Sequence, residues 1–94
     1  GRVGAVLGTH THVGTVDARV LPKGTAYVTD VGMTGPVNSV IGSEASAVLE
    51  RFLTALPQRL PVARGPTVLN SVLVEIDADS GSALSIQRLD RSVE

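Results

Sequence analysis

The sequence contains no cysteine and no tryptophan, and it has only one tyrosine and one phenylalanine among its 94 residues. Without cysteine, the chain can form neither a disulfide framework nor a thiolate metal site. Two aromatic residues are too few for the stacking surfaces that bind single-stranded nucleic acids. The net charge of -1 also lacks the basic excess that is typical of nucleic-acid-binding domains.

Long apolar runs are also missing. None approaches the roughly 20 residues that a membrane-spanning helix needs, so we expect no membrane partner. The lack of cysteine fits a cytoplasmic location. The chain starts at Gly1 and enters the apolar residues 3–7 at once, whereas termini are usually polar. This start predicts a fragment of a longer protein.

The remaining patterns predict strands and one helix, with no internal repeat and no second domain. Residues 3–7 are apolar on both faces, which is typical of a buried strand. Predicted strands also cover 25–30, 67–76 and 83–89, with hairpins over 16–30 and around the turn at 77–81. We expect residues 31–42 to form an irregular glycine-containing loop, and residues 90–94 to be a frayed end.

The predicted helix covers residues 45–56. Ser43 is its expected N-cap and Pro57 its expected end. The apolar residues follow helical spacing, which predicts a face directed at the core rather than a cofactor site. These residues are Ala45, Val48, Leu49, Phe52, Leu53 and Leu56.

The segment Gly8–Val13, with the sequence Gly-Thr-His-Thr-His-Val, follows the first predicted strand. In extended backbone, His10 and His12 would point the same way, roughly 6–7 Å apart. Each imidazole could then bind one ion of a pair about 3.5–4 Å apart. Gly8 lacks a side chain, so its backbone could approach an ion or a phosphate. The alternative is an ordinary pair of surface histidines.

The sequence resembles the closing Gly-His-x-His-type motif of calcineurin-like metallophosphoesterases, and most closely the bacterial YmdB-type family. The resemblance continues through residues 21–36, where Thr25–Pro36 is highly specific, and then through 39–42, 51–53 and the final hairpin. It covers nearly the whole chain but only the C-terminal third or so of such an enzyme. The resemblance therefore implies that residues 1–94 are the C-terminal portion of a single metallophosphoesterase domain whose N-terminal part is absent.

The resemblance implies that His10 binds one metal and His12 the other. The family's other ligands, an aspartate, a glutamate, asparagines and a further histidine, would lie upstream, as would any general acid. The implied cofactors are two metal ions, with Fe, Mn and Zn all compatible with imidazole ligands. Gly14 departs from the family, because glutamine is expected there in many relatives. That departure puts in doubt any bond from a side chain at position 14 to the metal ligands.

The resemblance also implies an α/β fold, as part of a layered α/β/β/α sandwich. This chain would supply four or five strands and one helix, and alone it would expose apolar surface. The implied reaction is metal-assisted hydrolysis of phosphodiesters, including 2′,3′-cyclic nucleotides, in which two ions activate water and stabilise charge on the phosphate. The expected partners are this substrate, the missing N-terminal part and, as an open alternative, further copies of the chain.

Several other residues are weaker candidates for the site. Asp17 and Asp30 could orient a metal-binding imidazole by accepting a hydrogen bond from its other ring nitrogen, although such carboxylates more often cap turns. Thr9, Met33 and Thr34 could line the site. The turn Asp77-Ala78-Asp79-Ser80-Gly81 lacks the glycine and glutamate positions of a calcium loop. Three basic side chains could bind phosphate, although scattered basic residues are usually solvated. These residues are Arg2, Arg19 and Lys23.

Two alternatives to the enzyme remain at this level. The chain could be a non-catalytic β-rich interaction or assembly module with incidental histidines. It could also be a metal-binding protein without turnover. Only the enzyme requires further aspartate, glutamate and asparagine ligands upstream. We expect the chain by itself to be inactive, because two histidines are too few to hold two ions.

Overall fold

The computed structural model describes residues 1–94, which form eight strands and one helix. The mixed, strand-rich α/β class predicted from the sequence is confirmed, but the predicted four or five strands are too few. The elements are β1 (Ala5–Leu7), β2 (Arg19–Val20), β3 (Ala26–Val28), β4 (Thr34–Pro36), α1 (Ala45–Thr54), β5 (Thr67–Leu69), β6 (Val72–Ile76), β7 (Ala83–Arg88) and β8 (Arg91–Val93). The additional strands have two or three residues, too short to show the period of two that predicts a strand.

The first sheet has the strand order β1-β3-β2. Strand β3 pairs in parallel with β1 and antiparallel with β2, which confirms the predicted hairpin over 16–30. Ala26 and Val28 of β3 are fully buried. Because β1 and β3 are parallel, the loops that follow them leave the same edge of the sheet. These loops carry His10 and His12 after β1, and Asp30 after β3.

The second sheet is the hairpin of β6 and β7, which confirms the prediction from the alternating pattern. The carboxylate of Asp77 accepts hydrogen bonds from the backbone N–H groups of Asp79 (2.8 Å) and Ser80 (3.3 Å). Asp77 therefore stabilises the connecting turn, as expected for aspartate in this position.

The third sheet has the order β4-β5-β8, and all its pairs are antiparallel. It corrects two predictions. Residues 31–42 are not wholly irregular, because β4 pairs with β5, and residues 90–94 are not frayed, because β8 pairs with β5 on its other side. Glycine and proline in β4 are poor strand formers, so this strand depends on its hydrogen-bonded partner rather than on its own sequence.

Helix α1 begins and ends differently from the prediction. Its N-cap is Glu44 rather than Ser43, and Glu44 makes no side-chain capping bond. Ser43 instead pairs through its backbone with Val40 and Val62. The helix ends at Thr54, because Ala55 adopts a left-handed conformation with φ 56°. This end comes two residues before the predicted one, consistent with the steric restriction that Pro57 imposes on the preceding residue.

The apolar face of α1, which is predicted to be directed at a core, is not covered within this chain. Val48 is buried, but Phe52 is 76% and Leu53 is 86% exposed. The predicted exposure of apolar surface by the chain alone is confirmed. The helix lacks the length and apolar character needed to cross a bilayer.

The molecule is elongated, with a Cα radius of gyration of 17.1 Å and extents of 54 × 29 × 17 Å. A compact domain of this length has a radius of gyration of about 12 Å. Only four hydrophobic residues are buried: Ala26, Val28, Val48 and Ala83. A core of this size is small for a chain of 94 residues.

Candidate metal-binding loop

The loop that carries both histidines is attached to the first sheet at Gly8. The N–H of Gly8 donates to the Val28 carbonyl at 3.0 Å, and its own carbonyl accepts from Val31 at 2.8 Å. A Cβ at this position would overlap the Thr29 carbonyl, whose carbon would be 3.0 Å away. Close approach to neighbouring backbone thus requires glycine here, a reason the sequence did not reveal. Approach to an ion or a phosphate remains a prediction.

His12 has a left-handed backbone conformation, with φ 67°. Its Nδ1 lies 2.8 Å from the carbonyl oxygen of Ile41. A carbonyl can only accept, so Nδ1 carries a proton, and in the neutral form of the ring the lone pair lies on Nε2. Metal-binding histidines are commonly held in this way by a partner on the other ring nitrogen.

Ile41 supplies this partner from a strained turn. Its φ is 46°, a left-handed value that is rare for a β-branched residue, and Gly42 follows with φ 97°. The 3.0 Å bond from the Ala63 N–H to the Gly42 carbonyl helps to hold the turn. Strained backbone of this kind occurs preferentially at functional sites.

Asp30 organises the backbone of the loop between the two histidines. It is 1% exposed, and its Oδ2 accepts from the N–H (2.6 Å) and hydroxyl (2.8 Å) of Thr11. Its Oδ1 accepts from the N–H of Gly32 at 2.8 Å. The Thr11 hydroxyl is the main cause that lowers the pKa of Asp30; burial opposes it, and backbone N–H groups, including that of His10, add to it. Asp30 therefore remains an acceptor for the loop.

Asp17 also accepts several hydrogen bonds, from residues next to the histidine loop. It accepts from the hydroxyls of Thr15, at 2.6 Å, and Thr29. These two bonds, in that order, are the main causes that lower the pKa of Asp17 to about 2. Neither Asp17 nor Asp30 forms a hydrogen bond with an imidazole; both bind backbone N–H groups and threonine hydroxyls, which agrees with the more common role of such carboxylates in stabilising turns. The hydrogen-bond partner of the His12 imidazole is instead the Ile41 carbonyl.

A cavity of about 290 Å³ lies beside His12. Met33 and Thr34, both predicted to line the site, are among its walls, whereas Gly8, Thr9, His10 and Asp30 are not. Its remaining walls are Gly35, Pro36, Ile41, Gly42, Ser43 and Val62. The structure thus joins His12 to the glycine-containing segment that follows β3. Arg2, Arg19 and Lys23 do not line this cavity.

His10 and Thr9 are exposed in the same loop. No group of three or more His, Asp or Glu side chains is close enough to hold a metal ion within this chain. The two imidazoles fit metal binding chemically, since imidazole is a suitable ligand for Zn and Fe. They form only part of a ligand set, because a catalytic ion usually has three or more protein ligands.

Sequence reasoning did not identify Arg88. This residue ends β7, and its guanidinium donates to the carbonyls of Thr15, Asp30 and Val31 behind the histidine loop. The one sequence signal was the unexpected Gly14, because a Cβ there would lie 2.7 Å from Cζ of Arg88. The guanidinium occupies the space that a side chain at position 14 would need.

Two solved structures have the same fold. One is a novel phosphatase from Mycoplasma pneumoniae, with a TM-score of 0.90 and 35% identity, covering 96% of this chain and 32% of that one. The other is a hypothetical protein from Thermus thermophilus, with a TM-score of 0.89 and 45% identity, covering 97% of this chain and 35% of that one. The fold is therefore that of a segment within larger proteins, one of them a phosphatase.

The chain belongs to the YmdB-like protein family, whose model matches residues 1–89. It is 52% identical over 89 residues to a 2′,3′-cyclic-nucleotide 2′-phosphodiesterase of Bacillus subtilis, covering 95% of this chain and 34% of the relative. It is 40% identical over 90 residues to a putative phosphatase/phosphodiesterase of Mycoplasma genitalium, covering 95% of this chain and 32% of the relative. The chain thus spans about a third of the length of these relatives.

Proposed function

We propose that this chain is the C-terminal portion of a metal-dependent phosphodiesterase, in which His10 and His12 each bind one of two metal ions. The observation that carries the proposal is the 2.8 Å bond from Nδ1 of His12 to the Ile41 carbonyl. This bond fixes the tautomer that leaves Nε2 free to bind a metal. The phosphodiesterase and phosphatase names of the relatives support the reaction class.

The chemistry that two bound ions supply is activation of water and stabilisation of charge on the phosphate. The chain's own contribution is to present two imidazoles on a loop whose backbone is held by Asp30. The cavity beside His12, with Met33 and Thr34 in its wall, is a place for the organic part of a substrate. We propose a 2′,3′-cyclic nucleotide as the substrate class, because the Bacillus subtilis relative bears that name.

We further propose that an upstream portion of the same polypeptide completes both the ligand set and a layered α/β/β/α sandwich. The elongated shape and the exposed residues of α1 support this, because a partner layer would bury them. The polypeptide that joins this chain to its upstream portion is called the parent polypeptide below.

The test is elemental analysis of the parent polypeptide, with hydrolysis of a 2′,3′-cyclic nucleotide followed in parallel. We expect about two ions per chain in the unaltered protein, and loss of both metal and turnover in His10→Ala/His12→Ala. The control is Arg59→Ala/Gln87→Ala, which changes two exposed residues outside the loop and should keep both properties.

The other outcomes separate the alternatives. Bound metal without hydrolysis would indicate a metal-binding protein without turnover. Absence of metal after reconstitution would favour the interaction module with incidental histidines. Turnover by the 94-residue chain alone would contradict the need for upstream ligands.

A further inference from the structure

The guanidinium of Arg88 lies against three backbone carbonyls that are distant in sequence. Its Nη1 donates to Thr15 and to Asp30, each at 3.4 Å, and its Nη2 donates to Val31. The side chain is only 20% exposed. A guanidinium presents five donors in a rigid plane, so it can bind several carbonyls that a lysine could not reach together.

Asp90 and Asn70 hold this guanidinium in place. Asp90 accepts from Nε and from Nη2 of Arg88, both at 3.1 Å, which is the two-pronged geometry that fixes a guanidinium plane. The side-chain amide of Asn70 donates to Asp90 at 3.1 Å, and its carbonyl oxygen accepts from the Met33 N–H at 3.1 Å. The group is thus anchored to the segment that forms the cavity beside His12.

The same contacts lead directly to the histidine loop. Arg88 binds the carbonyl of Asp30, whose carboxylate binds Thr11, the residue between the two histidines. Arg88 also binds the carbonyl of Thr15, whose N–H donates to the Asp30 carbonyl at 3.0 Å. A shift of the guanidinium would therefore release backbone groups on both sides of the loop.

Gly14 leaves room for this arrangement. A Cβ at position 14 would overlap the guanidinium, with Cζ of Arg88 at 2.7 Å. Any side chain there would have to displace Arg88 from its carbonyl partners. The absence of a side chain at position 14 therefore leaves the space that the guanidinium occupies.

We propose that Arg88, held by Asp90 and Asn70, is a positioning residue that sets the placement of the metal ligands His10 and His12. This inference rests on the proposed function and extends it to a residue that touches neither metal nor substrate. Its loss leaves both imidazoles present but imprecisely placed. Outer partners of metal ligands typically contribute about 10- to 100-fold to metal affinity.

The experiment measures metal affinity of the parent polypeptide by competition with a chelator, using Zn²⁺ and Mn²⁺ separately. We expect Arg88→Ala to bind metal about 10- to 100-fold more weakly, and Arg88→Lys to recover part of this loss. Gly14→Ala should weaken binding in the same direction by displacing the guanidinium, and it keeps Arg88. Arg91→Ala is the control, since this exposed arginine of β8 makes no side-chain hydrogen bond.

Turnover gives a second readout that loss of stability alone would not produce. At a temperature well below unfolding, excess metal should restore hydrolysis by Arg88→Ala.

Two outcomes would overturn the inference in different ways. If the unaltered protein binds metal, and Arg88→Ala has the same metal affinity as Arg91→Ala, the positioning role of Arg88 is overturned while the proposed function stands. Absence of metal from the unaltered protein would overturn the proposed function and this role with it. If Arg88→Ala does not fold, Gly14→Ala decides, and unchanged affinity in that variant overturns the inference.

Discussion

Nδ1 of His12 donates to the carbonyl of Ile41 across 29 residues of sequence, at 2.8 Å. This bond connects the histidine loop to a turn whose backbone is strained at Ile41 and left-handed at Gly42. The direction of the carbonyl, and hence of the imidazole, depends on that turn. The orientation of the His12 imidazole therefore depends on the backbone conformation at Ile41 and Gly42.

Gly42→Ala should weaken metal binding. With φ 97° at this position, an alanine is strained by about 1–3 kcal/mol, and relaxation of the turn would move the Ile41 carbonyl away from His12. Gly65→Ala is a matched control, because Gly65 has φ 113° and open space for a Cβ. Chelator competition should show a loss of affinity in Gly42→Ala only. An equal loss in both variants would mean that the effect comes from general destabilisation.

Asp30→Asn should lower metal affinity by about 10-fold, the lower end of the effect of outer partners. The amide has one acceptor oxygen, so it cannot serve Thr11 on one side and Gly32 on the other as the carboxylate does. Asp79→Asn is the control with the same change of charge, made at an exposed turn residue. Titration with Mn²⁺ would measure both variants, and equal affinities would argue against a role for Asp30 in the loop.

The pKa of Asp17, lowered to about 2 from an ordinary value of 3.8, predicts the pH dependence of stability. Because the pKa of Asp17 is lower in the folded chain than in the unfolded chain, its ionised carboxylate stabilises the fold above about pH 4. This contribution is lost as the pH falls through about 2. Urea unfolding of the parent polypeptide from about pH 5 downwards should show this loss. Asp17→Asn should give a shallower slope, whereas Asp79→Asn should not; identical slopes for the two variants would exclude Asp17 as the source.

Gly8→Ala should prevent normal folding of the first sheet. The added Cβ would overlap the Thr29 carbonyl, and neither strand can move aside without breaking the ladder between β1 and β3. Gly35→Ala is the control, since its Cβ would make an ordinary 3.5 Å contact with the Met33 sulfur. Thermal unfolding should show a large decrease in Tm for Gly8→Ala and a small change for the control. Similar Tm values would show that the strands can separate at low cost.

The sequence predicted the elements whose evidence is local. Helical spacing identified α1, alternation identified the hairpin of β6 and β7, and the position of His10 and His12 after a strand identified the loop. Strands β4 and β8 were missed because three residues show no period, and both depend on pairing with β5, more than 20 residues away in sequence.

The supports of the site could not be predicted for the same reason. Arg88 reaches Thr15 across 73 residues, and Ile41 reaches His12 across 29. Nothing in a single sequence shows which distant carbonyl a side chain will meet. Asp30 is a further example, because its carboxylate binds the backbone of Thr11, which lies 19 residues away in sequence.

The exposed face of α1 leads to a prediction about the 94-residue chain alone. Phe52 and Leu53 are largely exposed, and a patch of this kind favours association. We expect the isolated chain to elute above its monomer size and to bind a hydrophobic dye, whereas the parent polypeptide does not. Phe52→Asp/Leu53→Asp should reduce both effects in the isolated chain, with Arg59→Asp as a control that adds charge elsewhere. In the parent polypeptide the same double change should be destabilising, because we propose that this face is covered there. A monomeric isolated chain that binds no dye would show that the face needs no partner layer.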